Sequence, residues 1–271
     1  MSDARLLIVF VGNYEGIPEN AALYLGLKMV NIEGLISTCK KYVLDDRNTV
    51  VISEPYIPYV PKNWNGVLVL AESQNLSVSN TDYVQFLSKM STDERIKRLG
   101  YSTDFVGVYP WDDGSIKLAV EAALHVNASE VAVSNAVLWS QRGGNDQNVN
   151  PDLDLQSLSS GIWSELLSLL NPKIVVCCGK IAQRVVSKSG WEGETIFLRL
   201  PAKTAMSRVS GMFTEDDLFK RYPEVEKVAD RNPLWLSGGY RQNKIFFACH
   251  AVSVTPKYNK AFKTDSVVDP I

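Results

Sequence analysis

The 271-residue sequence predicts an α/β fold, a three-layer α/β/α arrangement around a mostly parallel central sheet. Two observations carry this. Runs such as VLVL, IVVCC and IFFAC are apolar without alternation, as strands covered on both faces should be. These runs also alternate with segments of helical character, the pattern that parallel sheets require for their crossovers.

Taken in order, Leu6 to Val11 is a continuous apolar run with β-branched members and reads as a short buried strand. From Asn20 to about Tyr42, Leu23, Leu27, Val30, Ile32, Leu35 and Ile36 fall near a helical stripe, weakened by Gly26 and Gly34. Pro55, Pro58 and Pro61 then punctuate a segment that can continue neither a helix nor a central ladder. That segment is the best boundary in the chain, separating an N-terminal extension or subdomain, 1–60, from an α/β domain, 61–271.

Val67 to Ala71 reads as a strand ending at Glu72-Ser73-Gln74-Asn75, and Phe105 to Tyr109 as another. The turn PWDDGS follows, with a serine as N-cap of the helix IKLAVEAALHV. Val131 to Leu138 is the next strand. Leu158 to Leu170 is an amphipathic helix closed by Asn171-Pro172, and Lys173 to Cys178 a strand turning at Gly179 into the helix KIAQRVVSK. Thr195 to Leu200 and Ile245 to His250 complete the predicted strands. In such sheets the ligand crevice lies beyond the carboxyl ends of the strands. This gives Glu72 to Asn75, Asn135 and His250 a common address.

Composition excludes several function classes. With 45% hydrophobic and 21% charged residues the chain is of ordinary globular type. A net charge of −2 and a pI of about 5.8 do not advertise nucleic-acid binding, although a local basic strip suffices for it. The four cysteines form no CxxC pair and no zinc or cluster spacing, and read as small buried hydrophobes. The N-terminal apolar run is too short for a membrane span and lacks a small-residue cleavage site, so a soluble, cytoplasmic protein is expected. Neither a GxSxG elbow nor the GxxxxGK context of a P-loop occurs, which disfavours a hydrolase triad and an NTPase. Asp112-Asp113 and Asp216-Asp217 read as turn and helix-start acids, and His125 as structural.

Three residues at strand ends invite a functional reading beside a structural one. The carboxamide of Asn135 offers a donor and an acceptor from one fixed position, enough to read the edge of a planar amide ligand such as a nucleobase. It can equally satisfy a neighbouring loop. His250 could donate to an anionic leaving group or be a satisfied core residue. Glu72 could act as an acid or cap a helix.

The stretch VSNAVLWSQRGGNDQNVNPDLDLQSLSSGIWSELLSLLNPKIVVCCGKIAQRVV resembles the middle of the uracil-DNA glycosylase superfamily. Asn135, Pro172-Lys173, Gly179 and Ala182 match the order of features in its branches. VLVLAESQN stands where the family's first motif follows an apolar strand, and IFFACHAVS where its last motif ends another in a histidine. The resemblance spans roughly Gly66 to Pro256. It implies a glycosylase-like fold in which Asn135 reads a flipped base and His250 stabilises negative charge on uracil O2. It also implies that Tyr109 or Trp111 supplies a stacking face, with Ser73, Gln74, Asn75 and Ser253 lining the site. Cleavage would pass through an oxocarbenium-like state.

The chain departs from that pattern at decisive places. Where several branches carry a water-activating Asp it has Ser73, and a hydroxyl is not a carboxylate base. Glu72 matches the glutamate of another branch, but that motif's glycines and proline are missing, and Ala251-Val252-Ser253 replaces Pro-Ser after the histidine. The iron–sulfur cysteine spacing of some branches does not occur. After His250, Lys257, Lys260 and Lys263 interleave with Tyr258 and Phe262, a composition suited to phosphates and bases or to a solvated tail. Three readings follow: an atypical DNA glycosylase acting through Glu72 and His250; a non-catalytic nucleobase-, nucleotide- or nucleic-acid-binding protein of the same fold; or an unrelated α/β protein with another small ligand. No metal or cofactor is expected, and DNA is the expected macromolecular partner. Oligomeric state has no signature in the sequence.

Overall fold

The computed structural model describes residues 30–44, 50–73, 81–100, 107–141, 150–199 and 212–255. At its centre lies a four-stranded, wholly parallel sheet of β1 (Val67–Ser73), β2 (Ala132–Val137), β3 (Ile174–Cys178) and β4 (Glu194–Leu198), in the order β2-β1-β3-β4. Alternation splits the side chains of each strand between two apolar layers. Val67, Val69 and Ala71 join Val131, Val133, Val176 and Cys178 on one face. Leu68 and Leu70 join Val175 and Cys177 on the other. Both faces are buried, which is why these strands lack an alternating pattern in sequence.

The first face is covered by α5 (Ser115–Leu124), α9 (Pro223–Arg231) and α10 (Arg241–Val254), with α8 (Glu215–Arg221) beside them. The second is covered by α1 (Ile32–Lys40), α6 (Leu153–Leu170) and α7 (Lys180–Lys188). The architecture is therefore three-layered α/β/α. Two further helices, α2 (Thr81–Ser88) and α3 (Thr92–Gly100), follow β1, and the short α4 (Tyr109–Asp112) precedes α5. Among the described residues no helix is long and apolar enough to cross a membrane.

Local chemistry explains the element ends. Asn31 caps α1 by accepting from the Gly34 amide at 2.8 Å, and Asp152 caps α6 by accepting from Leu155 N at 2.8 Å. Asn171 closes α6 in the left-handed conformation, after which Pro172 prevents continuation. Thr214 and Asp217 form a reciprocal capping box on α8.

The proline-punctuated segment lies along the outer edge of β2. Tyr59 and Val133 exchange two backbone hydrogen bonds at 2.8 and 2.9 Å, and Tyr56 N and Val51 N donate to Leu138 O and Ser140 O. Pro55 and Pro58 fall between these donors and Pro61 follows the last of them, so no proline stands where an N–H donates. The segment protects an edge that would otherwise be open. Val50, Ile57 and Val60, with Leu35, Ile36 and Cys39 of α1, pack into the same apolar cluster as α6 and α7.

Several sequence expectations are corrected. Ile245 to His250 is the interior of α10, not a strand. Lys244 to Val252 are all buried, so the helix shows no polar stripe and its short apolar run mimics a strand. Tyr109 opens α4 instead of ending a strand, with Pro110 fixing the first turn. The N-cap of α5 is Gly114, not Ser115. The described part of the first predicted helix begins at Ile32, α6 starts five residues earlier than Leu158, and β4 ends at Leu198. Leu6 to Val11 lies outside the described residues.

Candidate functional site

Because all four strands are parallel, their carboxyl ends share one edge of the sheet, the edge where open α/β sheets bind ligands. β1 and β2 run in register there, Ala71 beside Asn135 and Ser73 beside Val137. Two of the sequence-predicted positions are thereby adjacent.

Asn135 is 3% exposed, and its Nδ2 donates to Gly107 O at 3.2 Å. This bond ties the strand to the segment leading into α4. One N–H of the carboxamide is thus used to fix its plane, and the group's remaining hydrogen-bonding capacity is that of a second N–H and a carbonyl oxygen. Tyr109, two residues beyond Gly107, is 66% exposed. Trp111 is 4% exposed, packed in the first apolar layer with Lys117 Nζ 5.6 Å from its ring centroid. Of the two aromatics proposed for stacking, Tyr109 is the accessible one.

Glu72 has a different address. Its Oε1 accepts from Ile181 N, the second residue of α7, at 3.1 Å. A carboxylate at this helix start satisfies an otherwise orphaned N–H and complements the dipole. Gly179 makes the approach possible: a Cβ there would lie 2.3 Å from Glu72 Oε1, and its φ of +100° suits glycine. Glu72 is half-buried and continues the Leu68 and Leu70 side of β1, towards α7. By alternation Asn135 continues the opposite side, which bears Ala71 and Val133; Ser73 has the same parity, while its neighbour on β2, Val137, packs in the second layer.

His250 sits on α10, in the layer that covers the Asn135 side. It is 6% exposed, and its Nε2 accepts from Arg199 N at 3.4 Å, which places it beside the carboxyl end of β4. An accepting Nε2 belongs to an imidazole whose proton is on Nδ1. β4 and β2 are opposite edges of the sheet, three strand spacings or roughly 14 Å apart. Ser253 is half-buried and donates from Oγ to His250 O at 2.8 Å, within α10. β4 ends at Leu198 with Arg199 after it, and His250 lies on a helix, not at the strand end expected for the final motif. Gln74, Asn75, Lys257, Lys260 and Lys263 lie outside the described residues.

Sequence reading places Gln141, with the residues up to Gln147, at the rim beyond Asn135, but not the contacts that hold this edge together. Gln141, one residue past Ser140, grips Asp152 twice: Oε1 accepts from Asp152 N at 2.6 Å and Nε2 donates to Oδ2 at 3.2 Å. Arg184 of α7 donates to Gln156 Oε1 at 2.9 Å. No local pattern announces these contacts, because each joins separate elements. Cys178, at the end of β3, offers no nucleophile. Burial, with smaller contributions from Cys177 and Glu72, pushes its thiol far above the ordinary range.

Compared with known family models and with curated proteins, the chain matches none.

Proposed function

We propose that this chain is a non-cleaving, glycosylase-like protein that binds a nucleobase, carried by DNA or by a nucleotide, at the carboxyl edge of β1 and β2. The observation that carries the reading is the opposed placement of Asn135 and Glu72. Asn135 is a buried amide held by Gly107 O on the α10 side, with Ser73 on the same side and the exposed ring of Tyr109 two residues from Gly107. Glu72 points to the other side and is engaged by Ile181 N. One face thus holds groups suited to reading and stacking a base, whereas the carboxylate that hydrolysis would need is committed to a helix start. Ser73, of the same strand parity as Ala71, cannot take a proton from water as a carboxylate does.

A second reading, excision of a deaminated base, is favoured by the position of His250 in the same layer as Asn135. One experiment separates the two. Oligonucleotides carrying uracil, hypoxanthine or xanthine are titrated by fluorescence anisotropy and followed for base release under single turnover. We expect binding that weakens steeply with salt and no release. Asn135→Asp should weaken binding about 5- to 150-fold, the span of one amide–base pair. Release abolished by His250→Ala would replace this reading with the second. Absence of both binding and release would overturn both.

A further inference from the structure

α4 is held at both ends by buried polar side chains, and only one of them, Asn135, belongs to the candidate site as read from the sequence. The other is Lys244 of α10, which is 5% exposed. Its ammonium donates to Asp113 O at 2.6 Å, to Trp235 O at 3.1 Å and to Ser237 O at 3.1 Å. An ammonium has three donors, and three converging carbonyls satisfy all of them, which makes so deep a burial of a lysine tolerable. The three acceptors come from two places. Asp113 is the C-cap of α4, while Trp235 and Ser237 belong to and follow the 3₁₀ helix Pro233–Leu236. These segments already touch closely. A Cβ on Gly114 would lie 2.6 Å from Trp235 Cβ, and Gly114 has φ +88°.

The two anchors hold the ends of a seven-residue segment, 107–113. Gly107 is fixed through its carbonyl by Asn135, Asp113 through its carbonyl by Lys244, and Trp111 is sunk in the core. Tyr109 alone of the two aromatics stands out into solvent. A large ring exposed on a segment pinned at both ends is a surface with low ordering cost, the property a stacking platform needs.

We propose that Lys244 is the positioning residue of this platform: by clamping the C-cap of α4 to the 3₁₀ segment it sets the orientation in which Tyr109 stacks on a bound base. The proposal rests on the base-binding reading given above. Lys244 touches no ligand and acts through α4.

The test combines hydrogen exchange with binding, using wild type, Lys244→Met, Tyr109→Ala and the double variant. Lys244→Met keeps a linear, apolar side chain as far as the place of Cε and removes the ammonium. Exchange of the α4 amides, Trp111 to Gly114, should rise roughly tenfold or more, while the amides of β1 and β3 keep their protection. Affinity for a uracil-containing single-stranded oligonucleotide should fall about 5- to 150-fold in Tyr109→Ala, the span of one base–aromatic stack. Lys244→Met should lose a comparable factor, and the double variant should lose no more than Tyr109→Ala alone. Additive losses would show a general structural role and overturn the proposal, as would unchanged exchange at α4 or unchanged affinity in Lys244→Met. If Lys244→Met does not fold, Lys244→Gln, which keeps two donors on a shorter side chain, takes its place, and its changes in exchange and affinity should run in the same direction and be smaller. If wild type binds no oligonucleotide, the base-binding reading fails and Lys244 loses its role at a stacking platform. The exchange data then show separately whether it still clamps α4.

Discussion

Replacing Gly179 with alanine tests the junction between β1 and α7 most directly. Gly179 has φ +100° and ψ 166°, a region that essentially only glycine occupies, and forcing a side chain there costs about 1–3 kcal/mol. The new Cβ would also meet Glu72 Oε1 at 2.3 Å, Cδ at 2.7 Å and Cγ at 2.8 Å, so the carboxylate must leave Ile181 N. Loss of such a helix-start hydrogen bond costs about 0.5–2 kcal/mol. Gly179→Ala should therefore destabilise by about 1.5–5 kcal/mol. Glu72→Ala should cost the cap alone, about 0.5–2 kcal/mol. In the double variant the cap is lost once and the strain remains, so its cost should equal that of Gly179→Ala. The two single costs should then exceed the double cost by about 1 kcal/mol, the usual size of the cap. Urea denaturation of the four proteins at constant m-value measures each cost. A Gly179→Ala cost within about 0.5 kcal/mol of zero, the range of an indifferent surface change, would refute the strain. Strictly additive costs would refute the contact with Glu72.

Two further expectations concern groups away from the site. Glu54 is a nearly inaccessible carboxylate that Arg95 meets from Nε at 2.7 Å and from NH2 at 2.6 Å. Arg95→Ala leaves that charge buried and should cost about 3–5 kcal/mol, whereas Arg95→Met with Glu54→Gln should cost much less; equal costs in denaturant titrations would show that the pair carries no desolvation penalty. Burial pushes the thiols of Cys39 and Cys177 up to about 12, and those of Cys178 and Cys249 upward as well. Thiolate is therefore scarce at pH 8, and none of the four should react with an aromatic disulfide reagent before unfolding, whereas all four should react in denaturant. Rapid modification of native protein would contradict their placement.

What the sequence made legible were the elements with local signatures. VLVLA and KIVVCC, bounded by Asn65, Gly66, Pro172 and Gly179, are the two central strands, and VAVSNAV is an edge strand beside them. IFFACH carries the same local signature and is a helix, because burial on every side of α10 erases the stripe that would distinguish it. The proline segment read as an interruption, yet a β2 edge needs donors only at alternate positions and prolines fit between them. At the site, the residue types at strand ends were visible but their partners were not. Glu72 and Ile181 are 109 positions apart, Asn135 and Gly107 are 28 apart, and Lys244 reaches Asp113 across 131. Such pairings exist only once the layers have closed.

The opposed placement of Glu72 and Asn135 follows from the parity of β1. Leu68 and Leu70 fill the α6–α7 layer while Val67, Val69 and Ala71 fill the α5–α10 layer, so Glu72 must leave on the first side and Ser73 on the second. Moving Glu72 to the side of Asn135 would require a slip of one residue, and such a slip turns every side chain of the strand over. The register is pinned on both sides, by Ala71 beside Asn135 on β2 and by Leu70 beside Cys177 on β3, and the two layers bury leucines on one face against valines and alanine on the other. A slip would drive the larger side chains into the face packed for smaller ones, with overpacking that commonly costs 1–3 kcal/mol at each position. The core therefore holds the Glu72 carboxylate against the start of α7. Glu72 is accordingly engaged there by Ile181 N, on the side of β1 away from Asn135.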